Sequence, residues 1–250
     1  MTMAPNRYTW FLILGLIVLA FIARPAHSNV GEIGQIKGSG VLEREGDIVI
    51  DGEAGVGVLS MDEAVTANGT MRIDFVDETR VELTEQSRLV IDEFVYDPAN
   101  DVGSLSIKAS LGTVRYASGQ IAKKYKQNVK IRTPSATIGV RGTDFIMVVD
   151  EMGGSMITLL PSCDTAGMCY VGEIEVQTDA GFVVLNQAFQ ATATVHGMRK
   201  PTPPVLLDLD EDQIYNLLIL RKSDPIEEYN KQEMAERRKL ADFLGIDFLQ

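Results

Sequence analysis

A chain of 250 residues with 35 acidic against 23 basic side chains, formal net charge −12, is a poor partner for nucleic acid, whose phosphates demand clustered Lys and Arg. Its length suits one large domain with an appendage.

The N-terminus reads as an export address. Arg7 precedes an apolar run over residues 11–23, and Ala26-His27-Ser28 offers the small residues a signal peptidase reads. This order predicts a signal peptide over residues 1–28, cut between Ser28 and Asn29. The run falls short of the roughly 20 apolar residues of a comfortable span. Left uncleaved, it would anchor the chain in the inner membrane with the remainder facing the periplasm. No Cys follows the run, which speaks against a lipoprotein, and no second spanning segment is expected after cleavage. Removing residues 1–28 takes away Arg7 and Arg24 and no acid, so 21 basic residues face 35 acids and the mature charge is −14.

From residue 29 to about 195, short period-2 segments alternate with turn residues. Met71, Ile73 and Phe75 are followed by Val81 and Leu83, then Leu89, Ile91, Phe94 and Tyr96, with Glu93 out of phase as at a bulge. Leu105 and Ile107, Val114 and Tyr116, Ile174 and Val176, and the run 182–185 continue the series. Strands at intervals of about 8–12 residues, without sustained helical periodicity, predict an all-β fold: an antiparallel short-strand sandwich or β-roll over residues 29–197.

Residues 129–145 are the most informative stretch. Val129 and Ile131 alternate with Lys130 and Arg132, Thr133-Pro134 interrupts the ladder, and Ala136, Gly139 and Gly142 follow. Arg141, between two glycines and near Asp144, could tie carbonyls and a carboxylate together at a bend. Loss of that clamp is expected to be costly if its charge network is buried. The order Thr133-Pro134-Ser135-Ala136 leading into Gly139-Val140-Arg141-Gly142-Thr143 resembles the signature of FecR-type domains. Segments 69–75, 78–84, 87–98, 112–116 and 172–176 fit that family's rhythm, so the resemblance covers about residues 48–195. At the turn where many relatives carry a glycine, Asp77-Glu78 stands instead. The resemblance implies a periplasmic β module acting through envelope contacts, with Thr133, Pro134, Ala136, Gly139, Arg141, Gly142 and Thr143 in structural roles. The family's anti-sigma relay needs a cytoplasmic domain before the membrane segment, and only a handful of residues stand there, so that role is not expected to carry over.

Cys163 and Cys169 are the only cysteines, and in an oxidising compartment they are expected to form a disulfide at a loop tip. A redox or metal pair is the less favoured reading, because the spacing is not Cys-x-x-Cys and zinc sites need three or four ligands. Lys123, Lys124, Tyr125 and Lys126, with Lys130 and Arg132, form the one basic stretch. It reads either as a patch for an anionic glycan, lipid headgroup or acidic partner, or as an ordinary wet strand face and its loop. The acids at 74, 77, 78, 82, 85, 92 and 93 lack the order of a calcium loop. No phosphate loop, dinucleotide fingerprint or nucleophile elbow is present, so no catalytic residue, cofactor or metal is expected.

Beyond residue 197 the composition changes. Residues 198–207 form a proline-dense linker, and 208–250 read as a helical tail. Asp210 with Gln213 would cap its first helix and Asp224-Pro225 would open a second. That tail could dock on the β domain or serve as a partner-binding arm. The expectation is an exported, periplasmic, non-enzymatic interaction, scaffold or signal-relay protein with another envelope protein as partner. Binding of an envelope carbohydrate or anionic surface polymer is the alternative.

Overall fold

The structure is a computed structural model that describes residues 28–163, 168–195, 197 and 200–209. The apolar run and, from residue 210 on, the tail expected to be helical fall outside these residues.

The chain opens with β1 (Gly31–Arg44), which turns into β2 (Ile48–Asp51), followed by β3 (Gly57–Val58). Next come β4 (Glu63–Phe75), β5 (Arg80–Leu83), β6 (Arg88–Asp97) and β7 (Val102–Ala117). A single turn of helix, α1 (Gln120–Lys124), carries the chain back to β8 (Val129–Arg132), β9 (Thr137–Arg141), β10 (Asp144–Val149) and β11 (Ser155–Leu160). β12 (Ser162–Cys163) and β13 (Cys169–Tyr170) form a small separate ribbon. β14 (Glu173–Thr178), β15 (Gly181–Leu185), β16 (Gln190–Thr194) and β17 (Val205–Leu206) complete the described strands. The fold is all-β as the alternation predicts, and all pairings but one are antiparallel: β8 lies parallel to β7.

Three strands are much longer than the spacing anticipates, because they bend instead of ending. The first part of β7 pairs with β6 and β8, and its second part, from Gly112, pairs with β5 and β10. The change of layer falls at Gly112, whose φ is +88. A Cβ there would lie 2.2 Å from Ser87 Oγ and 2.6 Å from Ser87 Cα. Ser87, fully buried, uses that space: its hydroxyl donates to Thr113 O and accepts from Thr113 N–H. β4 bends likewise at Gly69, φ +145, which faces Gly38 of β1 in register.

Both layers contribute to one core. Ile73, Val81, Val114, Tyr116, Phe145 and Ile157 come from one side, and Leu105, Ile107, Ile131, Ile138, Ile174 and Val176 from the other. Each fully buried aliphatic side chain contributes about 1.5–3 kcal/mol, whereas an exposed ion pair gives about 0–1 kcal/mol. Register is therefore set by the inward residues. Glu93 is out of phase as expected, at a register shift between Ile91 and Glu93.

The opposite face of β4, β5, β7 and β10 carries a ladder of charge. Asp74 accepts from Arg72 Nε at 3.1 Å and from Arg80 Nε at 2.9 Å. Arg72 faces Glu82, and Glu82 faces Arg115. Arg115 pairs with Asp144 at 3.9 Å, both nearly fully buried, and Ser162 Oγ donates to Asp144 Oδ1 at 2.7 Å. Burial raises the Glu82 carboxyl above its ordinary range, against the pull of Arg115.

A second ion pair ties β1 to the start of β4. Arg44 grips Asp62 through Nε and a terminal nitrogen, both at 2.7 Å, while Leu59 N–H donates to Asp62 Oδ2 at 2.8 Å. The carboxylate is fully buried and Arg44 only a quarter exposed, and the bidentate bond raises the guanidinium above its usual value. Asp62→Ala strands both the charge and the Leu59 amide. It should lower unfolding free energy in urea by about 3 kcal/mol, the low end for breaking a buried pair because Arg44 retains some water. A loss below about 1 kcal/mol would show that the pair contributes no more than a surface contact.

Candidate functional site: the signature turn and its groove

The break that Thr133-Pro134 makes in the ladder is a tight turn between β8 and β9. Thr133 N–H donates to Ala136 O at 2.9 Å, and Ala136 N–H donates to Thr133 Oγ1 at 3.1 Å. Pro134 sits exposed at the apex, a position that asks for no N–H. Ser135 turns inward. Its hydroxyl lies 2.9 Å from Ser155 Oγ and 2.7 Å from Thr194 Oγ1, and Ser155 Oγ donates to Thr133 Oγ1 at 2.8 Å. Four hydroxyls thus close a network that ties the turn to the start of β11 and the end of β16. Ser135, Ser155 and Thr194 are buried, and satisfying one another avoids the cost of about 1–3 kcal/mol for each orphaned group.

Arg141, expected as a clamp on Asp144, is neither buried nor bound to it. Its side chain is 45% exposed and pairs with Glu173 directly across the β9–β14 ladder. The reason is parity: Ile138 and Val140 face the core, so Arg141 must face water. Asp144 belongs instead to the Arg115 ladder. The joint at the bend is Thr143, which is fully buried. Thr143 N–H donates to Ser118 Oγ at 2.8 Å, and Ser118 Oγ donates to Thr143 O at 2.6 Å. Thr143 Oγ1 accepts from Gly172 N–H at 3.3 Å and donates to Leu160 O at 3.4 Å. One residue so links the ends of β7 and β11 with the loop before β14. Gly142, adjacent, has φ +68, and Gly139 faces Lys130 and Glu175 on the outer side.

A groove of about 750 Å³ opens beside the turn, walled by residues 132–137, by residues 177–179 at the β14–β15 turn and by Gly197. Its walls are hydroxyls, amides and the charges of Arg132 and Asp179. Arg132 is held by Asp92 at 3.1 Å; that carboxylate also binds Lys108 and Ser106, and these bonds keep its pKa below the ordinary range.

Of the basic stretch, Lys130 and Arg132 lie on the exposed face of β8 and Tyr125 and Lys126 in the loop that enters it, as the plainer reading expects, whereas Lys123 and Lys124 are helical. Lys123 and Lys124 belong to α1, whose start is held by Asp77. Gln120 N–H donates to Asp77 O at 2.7 Å and Ile121 N–H to Asp77 Oδ2 at 3.1 Å. Asp77 also accepts from the amide and hydroxyl of Thr79, and Glu78 takes φ +68 where a glycine would be unstrained. Lys124 pairs with Asp101 at 2.5 Å and lies 5.2 Å above the Tyr125 ring, and Tyr125 OH donates to Asp101 at 3.1 Å. Asp101 thereby offsets part of the positive charge, while Lys123 and Lys126 remain exposed. Residues 123–126 do not line the signature groove, whereas Arg132 of the same basic stretch does. Cys163 stands opposite Cys169 in the β12–β13 register.

Ser118, Ser135, Ser155, Thr194 and the Asp77 anchor escaped the sequence reading. Asp77-x-Thr79 carried a local signal, since such pairs bond their own turn. The hydroxyl network carried none, because its directly bonded members lie up to 59 residues apart.

Residues 62–161 match the family model for FecR protein. The matched segment, from Asp62 to Pro161, holds β4 to β11 and the signature turn. Among solved structures the chain is similar to two crystal structures of a candidate anti-sigma factor from Parabacteroides distasonis ATCC 8503. One is 13% identical, with a TM-score of 0.45 and coverage of 61% of this chain and 62% of that one. The other is 15% identical, with a TM-score of 0.42 and coverage of 64% of each. The chain thus spans less than two thirds of either. No curated protein matches the chain.

The joint and the surface arginine make opposite predictions. Thr143→Val keeps the shape and deletes the hydroxyl, leaving Gly172 N–H without its acceptor, and should cost about 1–3 kcal/mol. Arg141→Ala should cost less than about 1 kcal/mol, as exposed pairs do. Chemical denaturation of both variants checks the ranking, and the reverse order would restore Arg141 as the clamp.

Proposed function

We propose that this protein is an exported, non-enzymatic module that acts by contact with another envelope protein, as a scaffold or as a relay of signal. The observation that carries the reading is the match to the FecR family model over residues 62–161, whose signature turn forms a wall of the polar groove. A turn held from within by four hydroxyls presents Pro134 and Thr137 outward in one fixed geometry, which suits recognition more than chemistry. Among the described residues no helix is long and apolar enough to cross a membrane. The same reading has the leader removed after Ser28, so that the mature chain begins at Asn29 in the periplasm. It also has Cys163 and Cys169 joined by a disulfide, for which facing positions in a two-strand ribbon are suitably spaced.

A photo-crosslinking residue placed at Thr137, on the groove, and another at Val49, on β2, tests the reading in living cells. Thr137 should give one dominant protein adduct in the envelope fraction that Val49 does not give. Equal adducts from both positions, or adducts to polysaccharide alone, would overturn the proposal.

A further inference from the structure

The longest run of paired strands in the main sheet, from β15 to β17, is treated differently at its two ends. At one end β16 is covered by the proline-dense segment: Thr202 N–H donates to Ala193 O, Ala193 N–H donates to Thr202 Oγ1, and Leu207 N–H donates to Phe189 O. The last strand on that side, β17, is only two residues long and follows directly on Pro201, Pro203 and Pro204, so little of that edge is open to pairing. At the other end stands β15, Gly181–Leu185, with sequence Gly-Phe-Val-Val-Leu. It carries no proline, no charge and no bulge in its register with β14. Among the described residues no strand lies beyond it. Phe182 is 62% exposed, and Val183 and Val184 are half-buried. Leu185 is fully buried and Val183 packs against the core, while the Lys200 methylenes lie beside Gly181 at the start of the strand, so among the described residues the apolar interior reaches the edge of the sheet with no strand laid over it. An uncharged edge of this kind is a template for another strand.

We infer that β15 receives an extended segment of a protein partner by strand addition, a segment that alternates aliphatic with basic residues. The inference rests on the proposed function, in that it supplies the manner in which the envelope partner is held. Each half of the alternation has a reason. Inward positions of the added strand would lie beside Val183 and Leu185 and extend the core, which asks for Val, Ile or Leu. Outward positions would lie beside Phe182 and Val184. In the β14–β15 register these face Gln177 and Glu175, with Asp179 in the turn. Lysine or arginine there covers Phe182 and Val184 with its methylenes and carries its charge toward the acids. A second copy of this chain is the weaker occupant. Two five-residue edges would bury far less than the roughly 1,000 Å² of a stable interface, and two copies would repel, each carrying −12 in full and −14 without residues 1–28.

The probe is a capped eight-residue peptide alternating valine and lysine, titrated into the full exported chain by fluorescence anisotropy, with hydrogen exchange read in parallel. Binding should be saturable, should slow exchange within Gly181–Leu185 at least threefold, and should weaken at least tenfold in Phe182→Lys/Val184→Lys. Both substitutions fall on the outward side, so melting of that variant should match the parent. A peptide N-methylated at alternate residues along the edge that would face β15, with the same charge and apolar content, should not bind. The inference falls if the peptide does not bind at millimolar concentration, if the double variant binds it equally, or if protection appears elsewhere. It falls too if the chain self-associates through β15 in sedimentation. Should Thr137 still capture an envelope protein while β15 proves inert, the proposed function stands and only strand addition is lost.

Discussion

The architecture depends on bending long strands without breaking their ladders. β1, β4 and β7 each serve two layers, and the continuity of the sheet through the bends lets one apolar core lie between them. At Gly112 the backbone adopts a left-handed conformation, and the volume a side chain would occupy holds Ser87. The bend is therefore fixed from both sides, by a conformation that L side chains rarely tolerate and by a hydroxyl bonded to both polar groups of Thr113. Thr66 adds to the same corner by accepting from Ser87 N–H at 3.0 Å.

From those corners follow the positions of the remaining features. Because β7 leaves the first layer, α1 must return the chain to start β8 beside Leu105, and the anchor at Asp77 sets where that return begins. β8 and β9 then place the signature turn at the end of the sheet, level with the β14–β15 turn, so the groove arises from topology and not from local sequence alone. Serine and threonine do much of the fastening at these junctions. A hydroxyl both donates and accepts, so Ser118, Thr143 and Ser135 each bridge segments distant in sequence at little volume.

The alternation of Met71, Ile73 and Phe75, or of Val129 and Ile131, made the strands and their inward faces legible, since one face of each is dry. The phase slip at Glu93 betrayed a bulge for the same reason. The lengths of β1, β4 and β7 were not legible, because a glycine within a strand looks the same in sequence as one in a turn. Arg141 was misplaced for a related reason. Its nearness to Asp144 suggested a local pair, whereas strand parity sent the two apart and gave each a partner, Glu173 or Arg115, that only long-range register reveals. Within the motif the buried bonds are made by Thr133, Ser135 and Thr143, whereas the guanidinium makes an exposed one.

The corner at Gly112 can be tested directly by the unfolding free energy of Gly112→Ala. A methyl group there meets Ser87 at 2.2 Å and forces alanine into left-handed backbone, so the account predicts a loss of about 3 kcal/mol or failure to fold. A variant that unfolds within about 1 kcal/mol of the parent, a change typical of an ordinary tolerated site, would contradict the claim that the fold turns on this corner.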